Sequence, residues 1–461
     1  MNFKIVNPYT GKEIAAYPVN STEDISDALD RADKYFTFQR RHTFDQRAQQ
    51  LGEIAKAFHD NAEVLAKTAT ENMGKRYTEA LAEANAAGNI AQYYADNGPK
   101  ALTPKPYTYL GDKQAQMQYE STGIVFAIEP WNFPYTQVMR VFAPNFLLGN
   151  PVILKHAPIV AGCADQFEKT VYSVMHAHGG FQNLFLTNDQ AAAIIADDRV
   201  QGVALTGSTK AGRIVASEAA QALTKTTLEL GGNDAFVVLP DADIDQAVAD
   251  GAISRLRNAG QVCTSAKRYI VTEANADEFV TKMKTTFEQQ VLGDPMADDT
   301  TIGPMSSERA RDQLQLQVDT AVEHGAEILV DGGAQKDRDG FFFKPMLLGN
   351  LKPDNPMYDA EFFGPVGQVH IAKDTDEAIQ IANDTQCGLA GAVYSQDLDE
   401  AKRVADQLIT GQLITGQIFL NQPSNGYPEL PFGGVKSSGY GREMSDQALY
   451  EFANKKMIAR G

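Results

Sequence analysis

The chain has 461 residues, too many for one compact core, so two or three domains are expected. Its composition, 43% hydrophobic and 22% charged, is that of an ordinary soluble globular protein. With 41 Lys and Arg against 59 Asp and Glu the formal net charge is −18, which argues against non-specific nucleic-acid binding and against an anionic membrane surface. An acidic protein that handles an anion must build a local basic pocket, which draws attention to its arginines.

Residues 1–20 predict a short β-hairpin around Asn7-Pro8-Tyr9-Thr10-Gly11. Ser21-Thr22-Glu23-Asp24 supplies N-cap chemistry for amphipathic helices that run to about residue 98. After the Pro-containing LTPKPYTYLG, the stretch DKQAQMQYESTGIV alternates polar and apolar residues like paired strands. From about 124, short apolar strands alternate with helices: IVFAIEP, PVILKHA, a helix near 160–178, NLFLT and GVALTG. That alternation predicts a parallel sheet wound in βαβ units. A second αβ series runs from AFVVLP (235–240) through RYIVTE, a long helix, EILVDGG and QVHIAK, and turns and extended pieces return from 425 onward.

The expected fold class is α/β, with a cofactor domain over 1–111 and 124–230 and a second α/β domain over 231–424. Residues 112–123 and 425–461 are expected to form an arm. A two-strand arm is marginal alone, so it is expected to pack on another subunit. The tandem Leu408–Gln412 and Leu413–Gln417, each LITGQ, is too short for a repeat fold and reads as a local duplication at a helix-to-strand junction.

The cysteines Cys163, Cys263 and Cys387 are far apart, with neither a disulfide framework nor zinc-site spacing. His176 and His178 are the only close histidine pair, and a surface helix end explains them, so no metal site is expected. The N-terminal MNFKIVNPYTGKEI lacks an apolar signal core and no stretch approaches eighteen apolar residues, so a cytoplasmic setting is expected.

Cys263 lies in RNAGQVCTSAKR, among small and polar residues and after Gly260. A lone cysteine is commonly core filler, as Cys163 and Cys387 read, but a Gly-containing turn also lets the backbone approach a substrate and aim the cysteine N–H at an oxyanion. Glu229, in TTLELGGND, is either a solvated strand end or a general base with Gly231 and Gly232 keeping its surroundings open. Asn132, between Pro130 and Pro134, is either a local cap or a neutral oxyanion donor. Lys155 ends the strand PVILK, where a ribose can meet its ammonium. Thr206-Gly207-Ser208-Thr209 is a strand-to-helix turn of the kind that receives a pyrophosphate, although it is not G-x-G-x-x-G.

Together these segments resemble the NAD(P)-dependent aldehyde dehydrogenase superfamily, nearest to its bacterial succinate-semialdehyde dehydrogenases. The resemblance is carried by PWNFP (130–134), VILKHA (152–157), LTGS (205–208), LELGGND (228–234), GQVC (260–263), GDP (293–295), IGPM (302–305), EFFGPV (361–366) and PFGGVKSSGYGRE (431–443). It implies a Rossmann-like cofactor domain, a catalytic α/β domain with the cysteine, and a β-arm that builds homodimers or homotetramers. It implies Cys263 as nucleophile, Asn132 with the Cys263 amide as oxyanion hole, and Glu229 as the base for the deacylating water. Trp131, Lys155, His156, Pro158, Gly207, Ser208, Glu361 and Phe363 would bind the cofactor.

Arg140 and Arg257 match arginines that hold the substrate carboxylate of succinate semialdehyde, unless each merely pairs with an acidic neighbour. The third carboxylate contact falls near Gly426 and Tyr427 where the family has Ser, and Ser265 stands where some members have a second cysteine. Pro158 replaces the Glu that selects NAD, so NADP is the expected cofactor with NAD as the alternative. The competing readings are an aldehyde dehydrogenase for another small aldehyde and a non-catalytic protein on the same fold.

Overall fold

The computed structural model describes residues 2–175, 177–410, 413–414 and 416–460. The opening hairpin pairs Asn2–Val6 with Glu13–Pro18. The helix Thr22–Gln39 begins on a capping box in which Ser21 and Asp24 satisfy each other's backbone N–H. Helices Phe44–Asp60, Ala62–Met73 and Tyr77–Ala101 follow, as the amphipathic pattern predicts.

The first sheet has six strands in the order Gly439–Tyr440, Lys225–Glu229, Val200–Thr206, Ile124–Glu129, Val152–His156 and Phe181–Asn183. All pairs are parallel except that of Gly439–Tyr440. Its strands are nearly continuous apolar runs because both faces are covered. Alternate residues feed two cores: Phe126, Ile153 and Val203 face one, Val125, Leu154 and Ala204 the other. The chain goes from Ile124–Glu129 outward to Phe181–Asn183, then returns to build the other side of the sheet. That reversal leaves a crevice at the carboxyl ends of the central strands, where such sheets bind ligands.

The second sheet has seven strands, ordered Glu327–Val330, Met346–Gly349, Val366–Ala372, Arg268–Thr272, Ala235–Val238, Ala390–Tyr394 and Gln417–Leu420. Again two cores sandwich it, with Phe236 and Tyr269 on one face and Val237 and Ile270 on the other. The tandem repeat lies between the helix Leu398–Gln407 and the last strand, and its Gly411, Gln412 and Thr415 lie outside the described residues, as does His176. The last strand keeps its parallel register with Ala390–Tyr394, so the duplication does not displace it.

Three expectations need correction. The strand predicted at NLFLT ends at Asn183, because Phe185 turns to Asn20 instead: its carbonyl accepts from Asn20 N–H and its own N–H donates to Asn20 Oδ1. The arm sheet contains Ala453–Ala459, Lys113–Ser121 and Lys105–Tyr109, so the boundary at 111/112 cuts a hairpin. Pro106, which has no N–H to donate, fits there because Lys105–Tyr109 is an edge strand. Conversely, Gly439–Tyr440 pairs with Lys225–Glu229, so the stretch from 425 is not all arm.

Candidate active site

A cleft of about 720 Å³ opens between the sheets, lined by Phe133, Arg140, Arg257, Cys263, Asn425 and Tyr427 among others. Cys263 reaches it from a backbone with an unusual shape. Asn258, Ala259 and Gly260 all have left-handed φ, at 53°, 51° and 73°. Ala259 there costs about 1–2 kcal/mol of backbone strain. The turn persists because its groups are held: Asn258 N–H donates to the Glu79 carboxylate, and Asn258 Nδ2 donates to the Asn132 carbonyl at 3.0 Å. Gly260 is required for a second reason, since any Cβ there would collide with Gly364. The loop closes when Lys267 Nζ donates to the Cys263 carbonyl. Burial pushes the Cys263 thiol up to about 11, against the pull of Lys267 and Arg140. Near neutrality it is therefore mostly a thiol, and its proton has to be taken before it attacks.

Asn132 is buried, and its amide is oriented by its neighbours. Gln137 Nε2 donates to Asn132 Oδ1 at 3.2 Å, which turns Nδ2 toward the Cys263 loop, where it donates to the Gln261 carbonyl at 3.0 Å. Beneath it lies an ion pair that no sequence motif suggested. Lys75 and Glu83, both buried, bond each other. Lys75 Nζ also donates to the Asn132 carbonyl at 2.7 Å, and Glu83 Oε1 accepts from Tyr135 N–H at 2.9 Å and Thr136 N–H at 3.3 Å. Glu83 thus caps the helix Thr136–Leu148, on which Arg140 rides. Removing one partner of such a pair leaves a buried charge and costs about 3–5 kcal/mol.

Glu229 ends its strand fully enclosed, and neither oxygen has a hydrogen-bond partner among the described residues. Burial raises its pKa well above the carboxylate range, and the neighbouring Glu443 and Glu129 add to this while Arg140 and Arg442 oppose it. Glu443 is itself pushed up to about 7 by burial, with Arg140 at 3.7 Å resisting. Glu229 Oε1 rests against Gly433, where a Cβ would stand 2.7 Å away. The expected open surroundings from Gly231 and Gly232 serve other neighbours: Gly231 backs Glu361, and Gly232 backs the Cys263 carbonyl, 3.1 Å from where a Cβ would be.

Arg257 is half-buried, lies over the Phe133 ring and donates to Asn425 Oδ1 at 3.3 Å. It makes no ion pair among the described residues. Arg140 does pair with Glu443, and stacks on Phe432 with its guanidinium carbon 4.3 Å from the ring centroid. Tyr427 is exposed at the cleft mouth. Asn425, rather than the neighbouring Gly426 or Tyr427, is the residue that touches Arg257.

On the sheet side, Lys155 is buried at the end of Val152–His156 with no acceptor among the described residues, and burial lowers its pKa. Gly207 and Ser208 follow Val200–Thr206, and Ser208 caps the helix Thr209–Gln221 through Ala211 N–H. Pro158 is exposed beside them at the start of the next helical turn. Glu361 takes an ion pair from Lys267 at 3.0 Å, and Phe363 meets Trp131 edge to face at 5.8 Å. His156 is the exception. Its Nε2 donates to the Pro134 carbonyl at 3.0 Å and its Nδ1 accepts from Ala157 N–H at 3.0 Å, with burial holding its pKa down near 4. It is a neutral brace beneath the Pro130–Pro134 turn, not a cofactor contact. Consecutive strand residues point to opposite faces, so Lys155 and His156 do not share the crevice.

This arrangement is matched by known proteins. The aldehyde dehydrogenase family model aligns with residues 1–458. The chain belongs to the aldehyde dehydrogenase family. It is 40% identical over 456 residues to a succinate-semialdehyde dehydrogenase [NADP(+)] of Deinococcus radiodurans, covering 99% of this chain and 94% of that one. It is 37% identical to the succinate semialdehyde dehydrogenase [NAD(P)+] Sad of Escherichia coli, covering 97% and 96%. A crystal structure of succinic semialdehyde dehydrogenase from Streptococcus pyogenes, in complex with NADP+, superposes with TM-score 0.95 at 41% identity, covering 99% of each chain.

The family's nicotinamide dinucleotide suits the residues present. Lys155 is a buried lysine with no acceptor among the described residues, and the first helical N–H groups after Ser208 face the same crevice end of the sheet. No group of three or more His, Cys, Asp or Glu side chains is placed to hold a metal ion among the described residues. No helix among them is long and apolar enough to cross a membrane.

Proposed function

We propose that this protein oxidises succinate semialdehyde to succinate with NADP+, as a cytoplasmic homo-oligomer assembled through its arm. The observation that carries the substrate is Arg257: a half-buried guanidinium with no ion pair among the described residues and Glu79 acting on it only from a longer distance, in the same cleft as Cys263, in a protein of net charge −18. A substrate carboxylate supplies a direct ion-pair partner, and Arg140 and Asn425 line the same cleft. The arm exposes Met457, Ile458, Tyr107 and Leu110, which supports subunit contact there.

In this reading the Cys263 thiol loses its proton to solvent in the cleft, the thiolate Sγ attacks the aldehyde carbon, and the resulting oxyanion is held by Asn132 Nδ2 and the Cys263 N–H. The nicotinamide, when bound, supplies the acceptor for the hydride. Trp131 and Phe363 pack at that end of the site, Glu361 takes the ribose hydroxyls, and Lys155, Gly207 and Ser208 hold the rest of the dinucleotide. Oxidised, the adduct is a thioester on Cys263. Glu229 then turns from Gly433 toward the cleft and takes the proton of the water that attacks it, releasing the acid and the thiolate.

The test is a substrate panel. Arg257→Ala raises KM for succinate semialdehyde by about 10- to 100-fold, the loss of one charge-assisted contact, and leaves a neutral aldehyde of equal length little changed. Equal damage to both aldehydes would mean that Arg257 only shapes the cleft. The cofactor choice rests on Pro158, which places no carboxylate beside the ribose that Lys155 reaches. Pro158→Glu lowers the NADP-to-NAD ratio of kcat/KM by at least about tenfold through like-charge repulsion of the 2′-phosphate. An unchanged ratio rejects that assignment.

A further inference from the structure

Lys267 is an ammonium with no access to solvent, four residues after the nucleophile. It makes two contacts that connect distant parts of the site. It donates to the carbonyl of Cys263, closing the turn Cys263-Thr264-Ser265-Ala266-Lys267 on itself. It also pairs with Glu361 Oε1 at 3.0 Å, on the loop between Asn355 and Val366. Glu361 is pressed into this position by Gly231, where any Cβ would collide with Oε2, and receives a further bond from Gly232 N–H at 3.4 Å. The backbone on the far side is fixed as well, since Lys267 N–H and Arg268 N–H both donate to the Asp234 carbonyl.

We propose that Lys267 is a positioning residue that joins the cofactor side of the site to the nucleophile, its one ammonium fixing the Cys263 carbonyl and the Glu361 carboxylate together. This rests on the reading of Cys263 and Glu361 given above. A neutral side chain at 267 would take this donor from the Cys263 carbonyl and leave Glu361 Oε1 with the Gly232 N–H, and the turn would lose the tie that sets the direction of Sγ. Leucine or methionine would fill the space, so the lysine is there for its charge and not for its volume. The ammonium and the carboxylate also act on the thiol with opposite sign, one favouring thiolate and the other opposing it. The other charged groups around this centre are Asp234, Arg255 and Arg268 behind the turn, and Arg140 and Arg257 from the cleft.

The experiment measures the rate of Cys263 alkylation by iodoacetamide against pH, with neither substrate nor cofactor present, so that it is independent of which aldehyde or dinucleotide the enzyme uses. Cys263→Ala supplies the background from Cys163 and Cys387. In Lys267→Met the midpoint of the profile rises by about one pH unit, because the cation is gone; in Glu361→Gln it falls by a similar amount, because the same cation is no longer offset. Lys267→Arg keeps the charge and stays nearer wild type than Lys267→Met. Opposite shifts in the two variants support the proposal; shifts of one sign, or none, overturn it and leave Lys267 as packing. Should Lys267→Met fail to fold, the direction of the Glu361→Gln shift alone decides.

Discussion

Cys263→Ala protein, given succinate semialdehyde and NADP, produces reduced nicotinamide at no more than about 10⁻⁴ of the wild-type rate. The fall is this large because no other group in the cleft replaces the sulfur. The neighbouring Ser265 hydroxyl donates to the Val262 carbonyl at 3.0 Å and is buried, turned into the loop rather than toward the substrate. The variant still folds, since removing one sulfur atom leaves the ties of the loop, from Asn258, Gln261 and Lys267, in place. It therefore still binds the cofactor, and a normal dissociation constant alongside lost turnover is the expected pair of measurements. Residual turnover near the wild-type level would remove Cys263 from the chemistry.

The second large effect separates the two halves of the reaction. Glu229→Gln gives a burst of reduced nicotinamide close to one equivalent per site, then a steady rate lower by about 10²–10⁴-fold, the usual contribution of a general base. Protein mass during the steady state shows the acylated species accumulating. The pH dependence has a determined sign. Burial and Glu443 raise the Glu229 pKa, and the protonated carboxyl cannot accept a proton from water. Wild-type deacylation accordingly increases as pH climbs through a value well above the ordinary carboxylate range, and the variant loses that limb. A variant that loses the burst and the steady rate equally would place Glu229 before the thioester instead.

The sequence showed the architecture where the physics is local. IVFAIE, VILKH and AFVV are apolar runs too short for helices, and they became strands buried on both faces. Ser21 and Asp24 announced a helix start that depends on three residues of spacing. The proposed chemical groups Cys263, Asn132 and Glu229 drew notice because Gly and Pro around them mark turns with special geometry. What surrounds those groups was not legible. Lys75, Glu83 and Lys267 carry no local signal that sets them apart from a solvated charge, and only the tertiary structure brings their partners to them. Asn425 was passed over for Tyr427 because nothing local distinguishes the two. His156 was misplaced for a reason that strand geometry could have supplied, since its neighbour Lys155 already claimed the crevice face.

The solitary ammonium of Lys155 bears on how long the protein survives. In the free protein it is largely buried with no acceptor among the described residues, and burial disfavours its charge, which lowers the stability of the fold. A bound ribose oxygen removes that penalty, and by mass action a cofactor at about a hundred times its dissociation constant stabilises the fold by about 2.7 kcal/mol. Turnover of the polypeptide by proteases that attack opened molecules is then tied to the supply of dinucleotide. A cell short of cofactor would lose the enzyme as well as its activity.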